Sequence, residues 1–95
     1  MGFIQIMEYE MDFARALDES ERYMREAKGQ TYVRSMTLCS DKKRPGVVVA
    51  VIHFDSYEDA LKNNDLEVTK NGSADWPENF EVKFTDLDVV RHIVA

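Results

Sequence analysis

The residues with the most reactive side chains are few and far apart in this 95-residue chain. His53 and His92 are its two histidines, and they do not have the i,i+4 spacing with which a helix presents two ligands to one metal ion. Cys39 is the single cysteine, so neither a disulfide within the chain nor a thiol-rich metal site can form. Cys39 lies in a strand-like run, which favours a buried structural thiol over a nucleophile. The sequence therefore predicts no metal site.

Other common chemical motifs are also missing from the sequence. The four glycines include no pair separated by one residue, so no glycine-rich phosphate loop is present. The composition leaves a Ser–His–Asp triad open, but no nucleophile-elbow sequence supports one. We expect no bound cofactor.

The charge and hydropathy patterns argue against nucleic-acid and membrane partners. The net charge is −6, and the only basic cluster, Lys42–Arg44, lies in a predicted turn without interleaved aromatic residues. The longest wholly apolar run, Val47–Ile52, is too short to span a bilayer. Residues 1–6 lack the basic segment and cleavage site of a signal peptide. With the free thiol, these features predict a cytoplasmic protein.

The first part of the chain predicts a strand followed by an amphipathic helix. Phe3–Tyr9 is rich in Ile and aromatic residues and has no breaker. Asp12 can cap the helix that follows, and Gly29 stands where that helix would end. Residues at three- and four-residue spacing predict its inward face: Phe13, Ala16, Leu17, Ser20, Tyr23, Met24 and Ala27. Charged residues are predicted to fill its other side: Asp18, Glu19, Glu21, Arg22 and Arg25.

The middle of the chain predicts an antiparallel hairpin. Thr31–Ser40 and Val47–Asp55 read as its two strands. In the turn between them, Pro45 fixes φ at the first central position and Gly46 can take a positive φ at the second.

A second helix and a last strand complete the pattern. Ser56–Asp59 resembles a capping box at the start of the helix, and the helical pattern weakens past Asn63 and Asn64. The best strand of the remaining extended sequence is Leu87–Arg91. The order β-α-β-β-α-β predicts an α+β fold of ferredoxin-like type, with a four-stranded antiparallel sheet in a single domain over residues 1–95.

The third strand predicts a homodimer. Successive side chains of a strand point to opposite sides of the sheet. One side carries Val47, Val49, Val51 and His53, and the other carries Val48, Ala50, Ile52 and Phe54, so both sides are apolar apart from one histidine. Two helices cover one side only. The simplest cover for the second side is the same side of another copy, related by a two-fold axis.

With its elements in place, the sequence resembles the dimeric α/β-barrel superfamily, and within it a small uncharacterised bacterial subgroup related to antibiotic-biosynthesis monooxygenase-like proteins. The residues that carry the resemblance are Asp41–Gly46, His53–Ala60, Asn63–Leu66 and Leu87–Arg91. The resemblance implies the fold and a barrel-type dimer, but no reaction. Relatives in the subgroup differ by an acidic residue at the position of His53 and a proline at that of Glu67.

Some monooxygenases of this superfamily use neither metal nor flavin, because the substrate itself activates oxygen. In their sites Asn, Trp, Tyr, His and Arg recur beside an aromatic wall. The resemblance thus makes candidates of five residues in this chain: His53, Trp76, Asn63, Asn64 and Tyr57.

Each candidate also has a structural interpretation, which the residues themselves favour. His53 would satisfy a neighbouring polar group such as Gln5. Trp76 would cover the core before Pro77. Asn63 and Asn64 would end the second helix, and Tyr57 would pack in its first turn.

Two classes of function follow. The first is a dimeric protein that binds a small apolar molecule or has a structural role, and this is the class we favour. The alternative is a cofactor-independent monooxygenase or a related small-molecule enzyme. A pocket with only apolar walls would favour binding, whereas one in which His53, Trp76 or an asparagine meets an arginine would favour chemistry.

Overall fold

The structure, a computed structural model, describes residues 2–74 and 76–95, so that Met1 and Asp75 lie outside the described residues. Its elements are β1 (Phe3–Glu10), α1 (Phe13–Glu26), β2 (Val33–Ser40), β3 (Val47–Phe54), α2 (Tyr57–Asn64), α3 (Glu67–Gly72) and β4 (Lys83–Asp88). The strands form an antiparallel sheet in the order β2-β3-β1-β4. This is the ferredoxin-like α+β fold that the order of predicted elements indicated.

The hairpin between β2 and β3 has the predicted turn. The N–H of Val47 donates to the carbonyl of Arg44 at 3.1 Å, which closes a four-residue turn around Pro45 and Gly46. Gly46 has φ of +83°, a left-handed conformation that costs a residue with a Cβ about 1–2 kcal/mol. The turn fixes the register of β2 on β3, and β3 in turn pairs with β1.

Helix α1 begins as predicted but is rotated relative to its predicted face. The side chain of Asp12 accepts the N–H of Arg15 at 3.1 Å and caps the helix. Leu17, predicted to face inward, is 43% exposed. Glu19, predicted among the outward charges, has a side chain only 16% exposed. The prediction was wrong because Glu19 lies three residues after the buried Ala16, on the same face of the helix.

The predicted second helix is present and is followed by a short helix that the sequence did not predict. Ser56 caps α2 by accepting the N–H of Asp59 at 3.1 Å, as the capping-box pattern indicated. The helix ends at Asn64, and α3 follows at Glu67–Gly72 with Leu66 at its N-cap. Asn71 and Gly72, two residues of low helix propensity, are the last residues of this short helix.

The last strand lies earlier than predicted. It spans Lys83–Asp88 rather than Leu87–Arg91, because its partner β1 begins at Phe3. The N–H of Val89 still donates to the carbonyl of Gly2 at 2.9 Å. Residues 90–95 run beyond the start of β1 and are exposed.

The sheet has two unlike faces. The helix face carries the alternate residues that pack under the helices: Phe3, Gln5, Met7 and Tyr9 of β1, and Val48, Ala50, Ile52 and Phe54 of β3. The open face carries the residues between them: Ile4, Ile6 and Glu8 of β1, and Val47, Val49, Val51 and His53 of β3. All four helix-face residues of β3 are buried, and all four open-face residues are half-buried. The predicted alternation of β3 is therefore confirmed.

Two expectations about single residues do not hold. Gln5 cannot satisfy His53, because the two side chains lie on opposite faces; Gln5 instead donates to Asp86 at 3.3 Å. Cys39 is exposed, not buried. It lies on β2, at the edge of the sheet, opposite Val49 of the open face.

No helix within the described parts of the chain combines the length and the apolar character needed to cross a bilayer. The cytoplasmic location stays a prediction.

Candidate functional site

A cavity of about 330 Å³ lies between the helix face of the sheet and the helices α1 and α3. Most of its wall is apolar. The apolar part is formed by three methionines and three smaller residues: Met7, Met11, Met36, Val33, Ala50 and Ile52. Methionine side chains are flexible and polarisable, so a wall of this kind adapts to the shape of an apolar guest.

One end of the cavity is polar, and we call its residues the Glu19 cluster: Tyr9, Glu19, Ser20 and Trp76. The indole Nε1 of Trp76 donates to Glu19 Oε1 at 3.3 Å. The other carboxylate oxygen, Glu19 Oε2, is buried and accepts no hydrogen bond from any described residue. Arg15 Nε lies 3.5 Å from Oε2 and forms an ion pair with it, from a side chain that is 52% exposed. The Glu19 carboxylate is therefore held at this end of the cavity by one hydrogen bond and one ion pair.

Tyr9 supports the same end of the cavity. Its ring lies 6.1 Å from that of Trp76 and 5.9 Å from that of Phe80, and the rings of Trp76 and Phe80 are 5.0 Å apart. The pKa of the Tyr9 phenol is raised, first because burial disfavours the phenolate and second because the Glu19 carboxylate is near; the Ser20 side chain opposes the shift. Tyr9 is consequently a neutral phenol at pH 7.

The other end of the cavity is held by a hydrogen-bond network around Asn63, a residue that is 4% exposed. Asn63 Oδ1 accepts the Tyr32 N–H and the Thr31 hydroxyl, each at 2.9 Å. Asn63 Nδ2 donates to the Tyr23 hydroxyl at 3.1 Å, and that hydroxyl lies 2.9 Å from Thr69 Oγ1. The network joins α2 to α1, to α3 and to the segment before β2.

The structure brings together three of the five candidate residues. Trp76, Asn63 and Asn64 line the cavity. His53 lies on the open face of the sheet, away from the cavity. Tyr57 is half-exposed, with its ring 5.2 Å from that of Phe3 beneath α2. Whether any of the five binds a ligand stays a prediction.

The sequence analysis missed the cavity residues of α1 and β1, chiefly Glu19, Tyr9 and Tyr23. A signal for Glu19 was present in the helical spacing, since it lies three residues after Ala16 and four before Tyr23. Because Glu19 is charged, the sequence analysis placed it on the outer side of the helix.

The cavity meets neither the criterion for binding nor the criterion for chemistry in full. Its wall is mainly apolar, as expected for binding, but it includes Trp76 and two asparagines, as expected for chemistry. No arginine is among its described residues.

A separate charged cluster lies at one end of the open face. Arg44 Nη2 contacts Glu8 Oε1 and Asp41 Oδ2, each at 2.7 Å, and Lys83 Nζ lies 3.7 Å from Glu8 Oε2. The hydrogen bond from Arg44 lowers the pKa of Glu8. The backbone N–H of Lys43 and the Arg44 side chain lower the pKa of Asp41. Both carboxyl groups are therefore ionised at pH 7 and have their hydrogen-bond and ion-pair partners within this cluster.

Across residues 2–74 and 76–95, no three histidine, cysteine or acidic side chains are grouped so as to hold a metal ion.

The chain shares its fold with several solved structures. SnoaB from Streptomyces nogalater, a cofactor-independent oxygenase solved as a mutant, superposes with a TM-score of 0.78 at 7% identity, covering 97% of this chain and 96% of SnoaB. Rv0793 from Mycobacterium tuberculosis gives 0.76 at 15% identity, covering 99% and 100% of the two chains. An antibiotic biosynthesis monooxygenase gives 0.68 at 12% identity, covering 96% and 100%.

These neighbours are antibiotic-biosynthesis monooxygenase-like proteins of ferredoxin-like fold, the group that the sequence resemblance indicated. At these identities the likeness shows the fold. No family model and no curated protein matches the sequence.

The network around Asn63 yields a stability prediction. Replacing Asn63 with Ala leaves the Tyr32 N–H and the Thr31 hydroxyl without their acceptor, and we expect a loss of roughly 2–3 kcal/mol in the free energy of unfolding. The matched control is Asn64→Ala at the neighbouring exposed position, which should change it by less than about 0.5 kcal/mol. Urea denaturation measures both. Equal effects of the two substitutions would show that the network does not hold the cavity together.

Proposed function

We propose that this protein binds a small, mainly apolar aromatic molecule in the cavity between α1, α3 and the helix face of the sheet. The observation that carries the proposal is the cavity itself: about 330 Å³ with methionine-rich walls and a small polar cluster at one end. Ligand sites are typically of this kind, with apolar walls and few polar groups that fix orientation. Trp76, Asn63 and Asn64 are the candidate contacts among the residues singled out from the sequence.

The volume limits the size of the ligand. An apolar cavity of about 150 Å³ holds benzene, so a chamber of roughly twice that volume fits a two-ring aromatic molecule. Trp76, Tyr9 and Phe80 pack against one another at the polar end, and ring edges there favour a planar guest. A two-ring phenol such as 1-naphthol matches the size of the cavity, and its single hydroxyl can meet a polar group of the wall.

We expect 1-naphthol to bind the native protein under nitrogen, as measured by fluorescence titration. Ser20→Leu places an apolar side chain in the cavity and should weaken binding by about tenfold or more. Glu21→Leu is the matched control, since it adds the same side chain at the next, exposed position and should leave the affinity unchanged. Equal affinity of the two variants would place the bound naphthol outside the cavity and contradict the proposal.

The protein is further proposed to work as a homodimer formed through the open face. That face presents a stripe of Ile4, Ile6, Val49 and Val51 that the helices do not cover. Leu87 of β4, which pairs with Ile4, adds a further apolar side chain to this face and is 42% exposed. Burying about 400 Å² of apolar area stabilises by roughly 10 kcal/mol before the cost of association. An identical face supplies the matching cover by two-fold symmetry.

Adjacent residues of β3 test the interface because they point to opposite faces. Light scattering coupled to size exclusion should give twice the chain mass for the native protein at micromolar concentration. Val51→Asp, between Ile6 and Thr37, should give a folded monomer, because the dimer would bury its charge. Ile52→Asp should instead unfold the chain, as shown by circular dichroism. A native monomer, or a Val51→Asp dimer, would contradict this interface.

A second candidate function is cofactor-independent oxygenation of such a phenol. It is favoured by the Glu19 cluster at the end of an apolar cavity and by the shared fold with SnoaB. With 1-naphthol and O₂, one oxygen atom would enter the ring to give 1,4-naphthoquinone and the other would leave as water. In ¹⁸O₂ the quinone should carry one ¹⁸O atom by mass spectrometry, at a rate above that of Ser20→Leu. A rate equal to that of buffer alone would leave binding as the function.

A further inference from the structure

His53 is a titratable side chain set among aliphatic ones on the open face. Its register partner on β1 is Ile4, and Leu87 of β4 pairs with Ile4 in the same row across the sheet. Val51 is its neighbour on β3 on the same face, and Ser35 of β2, on its other side, is polar but uncharged. His53 is half-buried within the single chain. A second copy on this face would therefore enclose the ring.

The position of His53 places it inside the proposed interface and not at its rim. The middle of the apolar stripe lies at Ile6 and Val51, which are register partners. His53 is two residues from Val51, a separation of about 7 Å along the strand. A stable interface covers about 800 Å² on each partner, which is a radius of about 16 Å for a round patch. The imidazole is thus among the groups that lose water when two copies associate.

Two-fold symmetry about that middle sets an uncharged residue opposite His53. If the axis runs along the strands, β3 of one copy lies over β1 of the other, and Ile4 is opposite. If the axis runs across the strands, β3 lies over β3 in the reverse direction, and Val49 is opposite. If the two sheets pack at right angles, the opposite residue is Thr37 or Thr85. In every case an imidazolium would be buried without a counter-charge, which is costly.

The acidic groups around this face already have cationic partners. Asp55, two residues after His53, forms an ion pair with Arg34 at 2.6 Å. The other end of the face has a cluster with equal numbers of positive and negative charges: Glu8, Asp41, Arg44 and Lys83. Glu10 and Cys39 lie towards that end as well, at least four residues along β3 from His53. These groups therefore provide no carboxylate that is free to stabilise a charged His53 in the interface.

We propose that His53 makes the association of two copies dependent on pH, and that its protonation dissociates the dimer. The inference rests on the homodimer proposed above, because it concerns the regulation of the same face. A histidine side chain in water gains its proton at about pH 6.5. The separate chains bind this proton more readily than the dimer, in which the charge is buried. Association is therefore complete above about pH 7 and is lost as the pH falls through 6.5.

Sedimentation equilibrium of the native protein at pH 7.5 and pH 5.5 tests the proposal. Each copy must release one proton to associate at pH 5.5, and each release weakens association about tenfold at one unit below pH 6.5. We therefore expect the dimer Kd to rise about 100-fold, with circular dichroism unchanged. The net charge of −6 predicts the opposite direction, because acidification reduces repulsion between copies. The lowered pKa values of Glu8 and Asp41 keep both carboxyl groups ionised throughout this range.

Substitutions assign the effect to one residue. His53→Gln keeps a neutral polar side chain and should give the same Kd at both pH values. His53→Lys carries a charge at both pH values and should stay a folded monomer throughout. His92→Gln is the matched control, since His92 is the other histidine of the chain and lies in the exposed segment 90–95. This variant should keep the 100-fold change.

The outcomes separate this inference from the proposed dimer. If the native dimer has the same Kd at both pH values, or if His53→Gln keeps the dependence, His53 does not control association, although the dimer itself stands. A His53→Lys dimer, a loss of the dependence in His92→Gln, or unfolding at pH 5.5 in place of dissociation would also overturn the inference. A native monomer at pH 7.5 would contradict the proposed dimer, and the role of His53 would fail with it.

Discussion

The architecture depends on a single feature of β3: this strand is apolar on both sides. It lies between β1 and β2, as one of the two interior strands of the sheet, and its residues alternate between buried and half-buried. One side must be covered by helices for the chain to fold at all, and α1 and α2 provide that cover. Apolar area on the other side is left without a cover within the chain, and this is the physical basis for proposing a second copy there.

The cavity follows from how the helices lie over the sheet. Ala16 and Ala60 are small and buried, so the helices approach the sheet closely at these points. Between them, Tyr23 is held by the Asn63 network at its hydroxyl, and Trp76 is held by Glu19 and the neighbouring rings. These large side chains are held by polar contacts at their tips, so they form the walls of the cavity and leave space between them. The polar groups of the site thus fix the walls and would also orient a ligand.

The open face and the cavity place different requirements on the side chains of the same two strands, β1 and β3. Open-face residues of β1 and β3 are aliphatic and suited to a flat contact, while helix-face residues such as Met7 and Gln5 leave room for a ligand. Both faces are built on the same strands, because neighbouring side chains along one strand point to opposite faces. Binding in the cavity and association of two copies would therefore depend on the same rigid sheet.

The sequence by itself determined the four strands and two of the three described helices, their order, the hairpin turn and the alternation of β3, because these follow from local patterns of two or four residues. Ser56, Asp12 and Gly46 act within their own turns, so their roles could be predicted without knowing the fold. Tertiary structure alone decided the rotation of α1 and the end of β4, since each depends on what packs or pairs against it. It also decided that Glu19 faces the cavity and His53 does not. A charged residue is assigned to solvent by type, and only the packing of α1 on the sheet shows that this carboxylate is enclosed beside Trp76 and Tyr9.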